Sequence, residues 1–362
     1  MTVGGPAAGC LAVVVRGGRV ESVHGGHLVL LAPDGAVRLA VGDPGVTIWP
    51  RSALKPVQAV AMLRAGLAVD ERGLALACAS HSGTPEHLGV VRAVLAGAGL
   101  SEADLQNTPD LPLDAASAFA WRAAGGVASS VTQNCSGKHA GMLATCVAAG
   151  WDVASYREPG HPLQQAIRAT VGELTGEPVV DVTVDGCGAP LFATTVLGLA
   201  RALGRIAAAG SEPGRADAEA RVGRAMSAHP WLVGGPGRDV SRFMTAVPGC
   251  VAKDGAEGVY AAGLADGSAV AFKVADGGAR PRPAIMAAAL ERALRAAAAG
   301  ALPEGAVPGG ALPGGALPGG AVDDVVRAVR EVGRTPVLGH GVPVGEVVAV
   351  LADGPVEIGR QW

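Results

Sequence analysis

The sequence predicts an α+β fold in which strands from both ends of the chain build one antiparallel sheet and a largely helical region lies between them. Three observations lead there. Apolar and polar residues alternate through the first forty residues with breaks at turn residues, apolar residues recur at helical spacing through the middle, and strand patterning returns late in the chain.

Taken in order, Val13 to Arg16, His27 to Leu31 and Val37 to Val41, the last two joined through Asp34-Gly35, read as a hairpin or meander. Helical spacing follows from Ala53 to Ala65 and from Glu86 to Ala98, the second opened by Thr84-Pro85-Glu86, where proline suits a first turn. Lys138 to Ala149, Pro162 to Leu174 and Ala189 to Ala209 extend the helical block, the last nearly all apolar and so expected inside. Gly258 to Ala262 and Ser268 to Phe272 flank Asp266-Gly267, a strong hairpin signal. An alanine-rich helix is expected over Pro283 to Ala299. Residues 300–320 then repeat Ala-Leu-Pro-Gly-Gly units, a composition too rich in Pro and Gly to pack, and read as a disordered surface insertion. A helix from Asp323 to Glu331 and strands at Gly345 to Leu351 and Val356 to Ile358 close the chain, and the strands are expected to complete the first sheet. The 362 residues are read as a single catalytic domain with two subregions.

Composition narrows the function. At 49% hydrophobic and 17% charged the chain is not disordered, and a net charge of −3 gives no footprint for nucleic acid or an anionic membrane. No stretch reaches the ~20 apolar residues of a membrane span, and Met1 to Val15 lacks the basic start of a secretory signal, so the protein is expected in the cytoplasm, acting on small molecules. The six Cys, scattered through the chain, read as reduced. Lysine is the informative residue. Of 29 basic residues only Lys55, Lys138, Lys253 and Lys273 are lysines, and arginine cannot replace an amine that must lose its proton.

Three of those lysines sit in motifs. Arg51-Ser52-Ala53-Leu54-Lys55-Pro56 holds a Ser-x-x-Lys that places hydroxyl and amine on one helical face, the arrangement that activates a serine without histidine. Pro56 biases Lys55 away from helical geometry. Ala77-Cys78-Ala79-Ser80-His81-Ser82-Gly83 is a turn of small residues able to lay a second hydroxyl, Ser80, into a site. Asn134-Cys135-Ser136-Gly137-Lys138-His139 and Asp185-Gly186-Cys187-Gly188 bring two Cys on glycine-bounded loops. Two thiolates and a nitrogen donor would fill three positions of a tetrahedral zinc site, while two structural Cys are the alternative. Lys253-Asp254-Gly255 on a strand is of the kind that completes Ser-x-x-Lys sites with a second ammonium, which can depress the first amine's pKa. Lys273 reads as a surface strand residue.

In this order the motifs Arg-Ser-x-x-Lys-Pro, Ser-His-Ser-Gly, Asn-Cys-Ser-Gly-Lys-His-Ala-Gly-Met, Asp-Gly-Cys-Gly-Ala-Pro and Lys-x-Gly-Ala-Glu-Gly resemble the Rhizobium etli-type L-asparaginases, the class 3 or asparaginase II family. The resemblance runs from about Val14 to Leu264 and resumes at Gly345-Glu346-Val347; Asp254 falls on the variable position of its motif. It implies a fold similar to serine β-lactamases and glutaminases, a homodimer, and hydrolysis of L-asparagine to L-aspartate and ammonia. Transferred residue by residue, it pairs Ser52 with Lys55 and Ser80 with Lys253, and assigns zinc to Cys135, Lys138 and Cys187 with a water, the metal supporting substrate binding rather than activating the nucleophile. Arg51, His139 and Asp185, beside the motif residues, are the candidates for gripping the substrate's α-carboxylate and α-amine. Two other readings stand beside it: a glutaminase or other serine amidohydrolase of the same fold, and a non-catalytic zinc-binding protein.

Overall fold

The structure, a computed structural model, describes residues 7–300 and 319–351. Its frame is an eight-stranded sheet. The chain opens with strands β1 (Gly9–Arg16), β2 (Arg19–Leu31) and β3 (Val37–Val41), each paired antiparallel with the next. Short strands follow: β4 (Thr47–Ile48) pairs with β7 (Thr194–Thr195), and β5 (Val182–Val184) with β6 (Pro190–Phe192). The late strands β8 (Val251–Asp254), β9 (Val259–Gly263) and β10 (Ala269–Val274) return to the main sheet, followed by β11 (Pro336–Gly339) and β12 (Val342–Ala349). The order is β11-β12-β1-β2-β10-β9-β8, with β3 also on β2. The α+β expectation therefore holds, and both ends of the chain do meet in one sheet, Ala12 opposite Ala349 and Arg16 opposite Gly345.

Strand β9 is buried at every residue and β10 at all but Lys273, so these strands are covered on both faces and show no polar alternation. Between β3 and β8 lie helices α1 (Lys55–Arg64), α2 (Glu71–Ala77), α3 (Pro85–Gly97), α4 (Ala115–Ala123), α5 (Ser136–Ala149), α6 (Pro162–Thr175), α7 (Val196–Ser211), α8 (Ala218–Ala228), α9 (Pro230–Val233) and α10 (Asp239–Ala246). Helices α11 (Arg282–Gly300) and α12 (Gly319–Gly333) pack on each other, and α11 also packs on β10 and β12. Helix α1 is buried along its whole length except Arg64, which makes it the axis of the helical region.

Several boundaries differ from the sequence reading for local reasons. The helix expected from Ala189 starts at Val196, because Pro190 to Phe192 pair with β5 and the Thr195 hydroxyl accepts the Gly198 N–H as a helix cap. Lys55 is helical, φ −57° and ψ −37°, despite Pro56. Pro56 falls in the first turn of α1, where its missing N–H costs nothing, and the Lys55 N–H already has the Ser52 carbonyl. Helices α2, α4, α8 and α10 lie in stretches the sequence reading left unassigned; α2 and α8 are capped by Asp70 and Asp217. Of the expected insertion at 300–320, Gly300 closes α11 and Gly319-Gly320 open α12; residues 301–318 and the strand expected at 356–358 lie outside the described residues.

Helix α7 crosses β2, β9 and β10 at close range. Gly263 and Gly204 make this approach possible: a Cβ on Gly263 would run into the Leu203 carbonyl, and one on Gly204 would lie 2.7 Å from the Gly267 carbonyl. Replacing Gly263 with Ala must push helix from sheet, an overpacking cost of about 1–3 kcal/mol. The expected outcome is a lower urea midpoint for Gly263→Ala, measured by circular dichroism, with no change in the slope of the transition.

Candidate active site

Segments from several separate parts of the chain converge where α1 begins. Ser52 lies in the single 3-10 turn Arg51–Leu54 that leads into α1. Arg51 holds a left-handed backbone, φ 51°, which is uncommon for a residue with a side chain and is a form of strain concentrated at functional sites. This sharp turn sends the Arg51 guanidinium to Asp185, Nε to Oδ1 at 2.7 Å, while Ser52 lines a cleft of about 470 Å³. Ser80, Ser82, Asn134, Arg238, Asp254, Glu257 and Arg282 share its walls.

Lys55 is buried beneath this cleft at 1% exposure. Its Nζ donates to the Ala79 carbonyl at 2.5 Å, to Ser80 Oγ at 3.1 Å and to Cys135 Sγ at 3.1 Å. The serine it touches is therefore Ser80. Among the described residues no side-chain hydrogen bond holds the Ser52 hydroxyl, and Ser52 and Lys55 meet through the backbone, the Lys55 N–H donating to the Ser52 carbonyl. Ser80 is kept in place by backbone bonds on either side: its own N–H to the Val233 carbonyl and the next, of His81, to the Asn134 carbonyl. The buried His81 ring adds a bond between its Nε2 and Ser136 Oγ at 2.9 Å, tying the Ser80 turn to the start of α5.

Lys253 is wholly buried at the end of β8, and its Nζ donates to the Asp254 carbonyl at 2.7 Å and to Asp254 Oδ1 at 2.6 Å. Burial pushes its amine down, Asp254 resists, and the charge of Lys55 pushes it down further, leaving it at about 8. At that value the Lys253 amine can shed its proton near neutral pH, and the hydrogen bonds of this structure pair it with Asp254, where the family resemblance suggested Ser80. Asp254 is itself buried. Burial would raise its carboxyl, but Lys253, Arg238 and Arg282 hold it far below the usual carboxylate range.

The two Cys loops do meet. Lys138 Nζ donates to Cys187 Sγ at 3.1 Å, and Cys135, Cys187 and Ala189 form a small buried cluster. A hydrogen bond from Cys135 together with the charge of Lys138 brings the Cys187 thiol down to about 4 against the cost of burial, while the Cys135 thiol is pushed up to about 12. For Asp185, burial raises the carboxyl, and Lys138, Arg51 and the Gly186 N–H more than offset it. His139, next to Lys138 in the chain, is fully buried, its Nδ1 on the Tyr156 hydroxyl at 2.7 Å and its Nε2 without a partner among the described residues. It does not line the cleft.

The donor chemistry fits zinc. Two sulfurs and an amine converge, and the 3.1 Å between Lys138 Nζ and Cys187 Sγ is close to the roughly 3.5 Å that separates neighbouring ligands of a tetrahedral zinc with ordinary bond lengths. Among the described residues no set of three or more His, Cys, Asp or Glu side chains makes a metal site; the cluster depends on its lysine.

The motif reading gave Asp254 no role and did not single out Arg238 or Arg282. Arg238 Nη2 bonds Asp254 Oδ2 at 2.6 Å, its Nη1 bonds the Ser80 carbonyl at 3.2 Å, and Arg282 lies 3.9 Å from the same carboxylate. The available signal was Gly234-Gly235-Pro236-Gly237-Arg238, a loop of turn residues ending in a charge. Lys273, read as a surface residue, is half buried and donates to the Glu257 carbonyl at 2.8 Å, steadying one wall of the cleft.

Among solved structures the chain is similar to the protein Mglu in its native form (16% identity over 75% of this chain and 64% of that one, TM-score 0.40). It is also similar to a β-lactamase from Mycobacterium bovis (15%, 74% and 94%, 0.41) and to a Bacillus subtilis glutaminase in covalent complex with 5-oxo-L-norleucine (15%, 69% and 80%, 0.32). At these scores the likeness is partial. No curated protein is significantly similar to the chain. The model of the family L-asparaginase II matches residues 12–304, a span that holds every serine, lysine and cysteine of the site, and the chain belongs to that family.

Proposed function

We propose that this protein is an L-asparaginase of the Rhizobium etli type, a single catalytic domain that acts in the cytoplasm as a homodimer and hydrolyses L-asparagine to L-aspartate and ammonia. The observation that carries the reading is the buried Lys55 amine bonded to Ser80 Oγ, at a cleft that Ser52 also lines. The half-buried Ser52 hydroxyl, which makes no side-chain hydrogen bond among the described residues, attacks the side-chain amide carbon. Ser80, fixed on Lys55, takes that proton and passes its own to the Lys55 amine, the general base in this reading. The same route returns the proton to the departing nitrogen as the C–N bond breaks, and ammonia leaves behind a β-aspartyl ester on Ser52. Water then cleaves the ester, restoring the Ser52 hydroxyl and releasing aspartate.

The Arg51 and Asp185 pair offers opposite charges for the substrate's α-carboxylate and α-ammonium; His139, bonded to Tyr156 and absent from the cleft's walls, is left out of this role. Cys135, Lys138 and Cys187 would hold zinc, which supplies positive charge for orienting substrate. Six free Cys are in keeping with a reducing compartment, and among the described residues no helix is long and apolar enough to cross a membrane.

Ammonia release from L-asparagine by the purified protein is the test, with L-glutamine and a β-lactam beside it. Ser52→Ala and Ser80→Ala should each lower kcat/KM by roughly 10⁴-fold or more without loss of fold. Turnover of glutamine in preference to asparagine would move the reading to a glutaminase, and full activity in both variants would end it. Dialysis against zinc followed by metal analysis should give one zinc per chain in the wild type and none in Cys187→Ala. In the wild type, removing the metal should raise KM and leave turnover at saturating asparagine.

A further inference from the structure

The two lysines nearest the cleft are joined by an unbroken run of contacts. Lys253 Nζ meets Asp254 Oδ1 at 2.6 Å, Asp254 Oδ2 meets Arg238 Nη2 at 2.6 Å, Arg238 Nη1 meets the Ser80 carbonyl at 3.2 Å, and Ser80 Oγ meets Lys55 Nζ at 3.1 Å. We propose that Asp254 is a positioning residue for the reaction: its carboxylate holds the Lys253 amine at the end of β8 and fixes the Arg238 guanidinium against Ser80, so that the two lysines and the serine between them form one rigid unit. This rests on the amidohydrolase reading of the same cleft.

The geometry ties Asp254 to these two partners. Neighbouring residues of a strand face opposite sides, so a bond between the Lys253 amine and the next residue's carboxylate requires both side chains to curl around the strand end, at sites 0% and 5% exposed. Arg238 ends a loop with three glycines, one of them, Gly235, at φ 128°, and therefore depends on side-chain contacts for its orientation. Arg282 reaches the same carboxylate from α11 at 3.9 Å. Every charged neighbour of the pair has a definite sign of action. Lys253 faces Asp254 on its own strand, Lys55 from α1, Arg238 at the start of α10 and the thiol of Cys78 at the end of α2. Asp254 is faced in addition by Arg282, by Asp239 and by the Tyr260 hydroxyl. Within this set the Asp254 carboxylate favours the charged form of Lys253, and Arg238 and Lys55 oppose it.

Removing Asp254 and removing Arg238 should therefore move Lys253 in opposite directions, which general damage would not do. With only four lysines in the chain, lysine labelled with ¹⁵N at Nζ gives a spectrum in which Lys253→Met assigns the resonance of interest. In the wild type that resonance should titrate at about 8. In Asp254→Asn the midpoint should fall by roughly one unit or more, and in Arg238→Gln it should rise. The limb of the kcat/KM profile for asparagine that Lys253 sets should follow in each case. An unchanged midpoint in both folded variants, or a drop in rate with no movement of the limb, overturns the proposal. If Asp254→Asn does not fold, the upward shift in Arg238→Gln decides alone. If the wild type releases no ammonia from asparagine while the midpoints move as stated, the substrate assignment fails and the role of Asp254 stands.

Discussion

Lys55, Lys138 and Lys253 are all taken out of water, at 1%, 2% and 0% exposure, within one small region. A buried amine is costly in its charged form unless it is paired and hydrogen-bonded, and like charges close together add to that cost. The surrounding structure is organised to meet this demand. Lys55 has a carbonyl, a hydroxyl and a thiol, Lys138 has the Cys187 sulfur, and Lys253 has both the carbonyl and the carboxylate of Asp254. The partners of Lys55 and Lys138 come from three separate segments, Ala79-Ser80, Cys135 and Cys187, so these two lysines determine how the segments must close, while Lys253 takes its partner from the next residue of β8; the buried helix α1 and the doubly covered strands β8 to β10 supply the rigid ground.

How much of this could be read in the sequence follows from what kind of pattern each part needs. The sheet was legible at both ends because hairpins leave local marks, Asp34-Gly35 and Asp266-Gly267, and because β1 to β3 still carry some alternation. The start of α7 was misplaced because Ala189 to Phe192 are small or apolar and suit a buried strand as well as a buried helix; only the pairing with β5 separates the two. Helices α2, α4, α8 and α10 are short, 7 to 11 residues, and give periodicity little room to show.

At the site, the reactive residue types were legible and their partners were not. Short motifs marked Ser52, Lys55, Ser80, Cys135, Lys138, Cys187 and Lys253; in the structure Ser52 and Ser80 line one cleft, and Lys55, bonded to Ser80 and Cys135, links it to the Cys135, Cys187 and Lys138 cluster. Who bonds whom depends on contacts between residues far apart in the chain. Lys55 reaches a serine 25 positions away in preference to the one three positions away, and Asp254 is held by Arg238 and Arg282, neither of which belongs to any motif. His139 shows the opposite failure: adjacency to Lys138 in sequence suggested a place in the cleft, but on a helix the next residue points elsewhere, and its ring went to Tyr156.

The arrangement gives the two serines different work, one free at the cleft and one fixed on an amine. Peptide mapping of the enzyme after rapid acid quench during turnover of L-asparagine separates them, since a β-aspartyl ester survives acid and adds the mass of one aspartyl group to a single peptide. The expected result is the adduct on the peptide that contains Ser52, present in the wild type and absent in Ser52→Ala. An adduct on the Ser80 peptide, or sustained turnover with no adduct on either, would contradict the relay from Ser52 through Ser80 to Lys55.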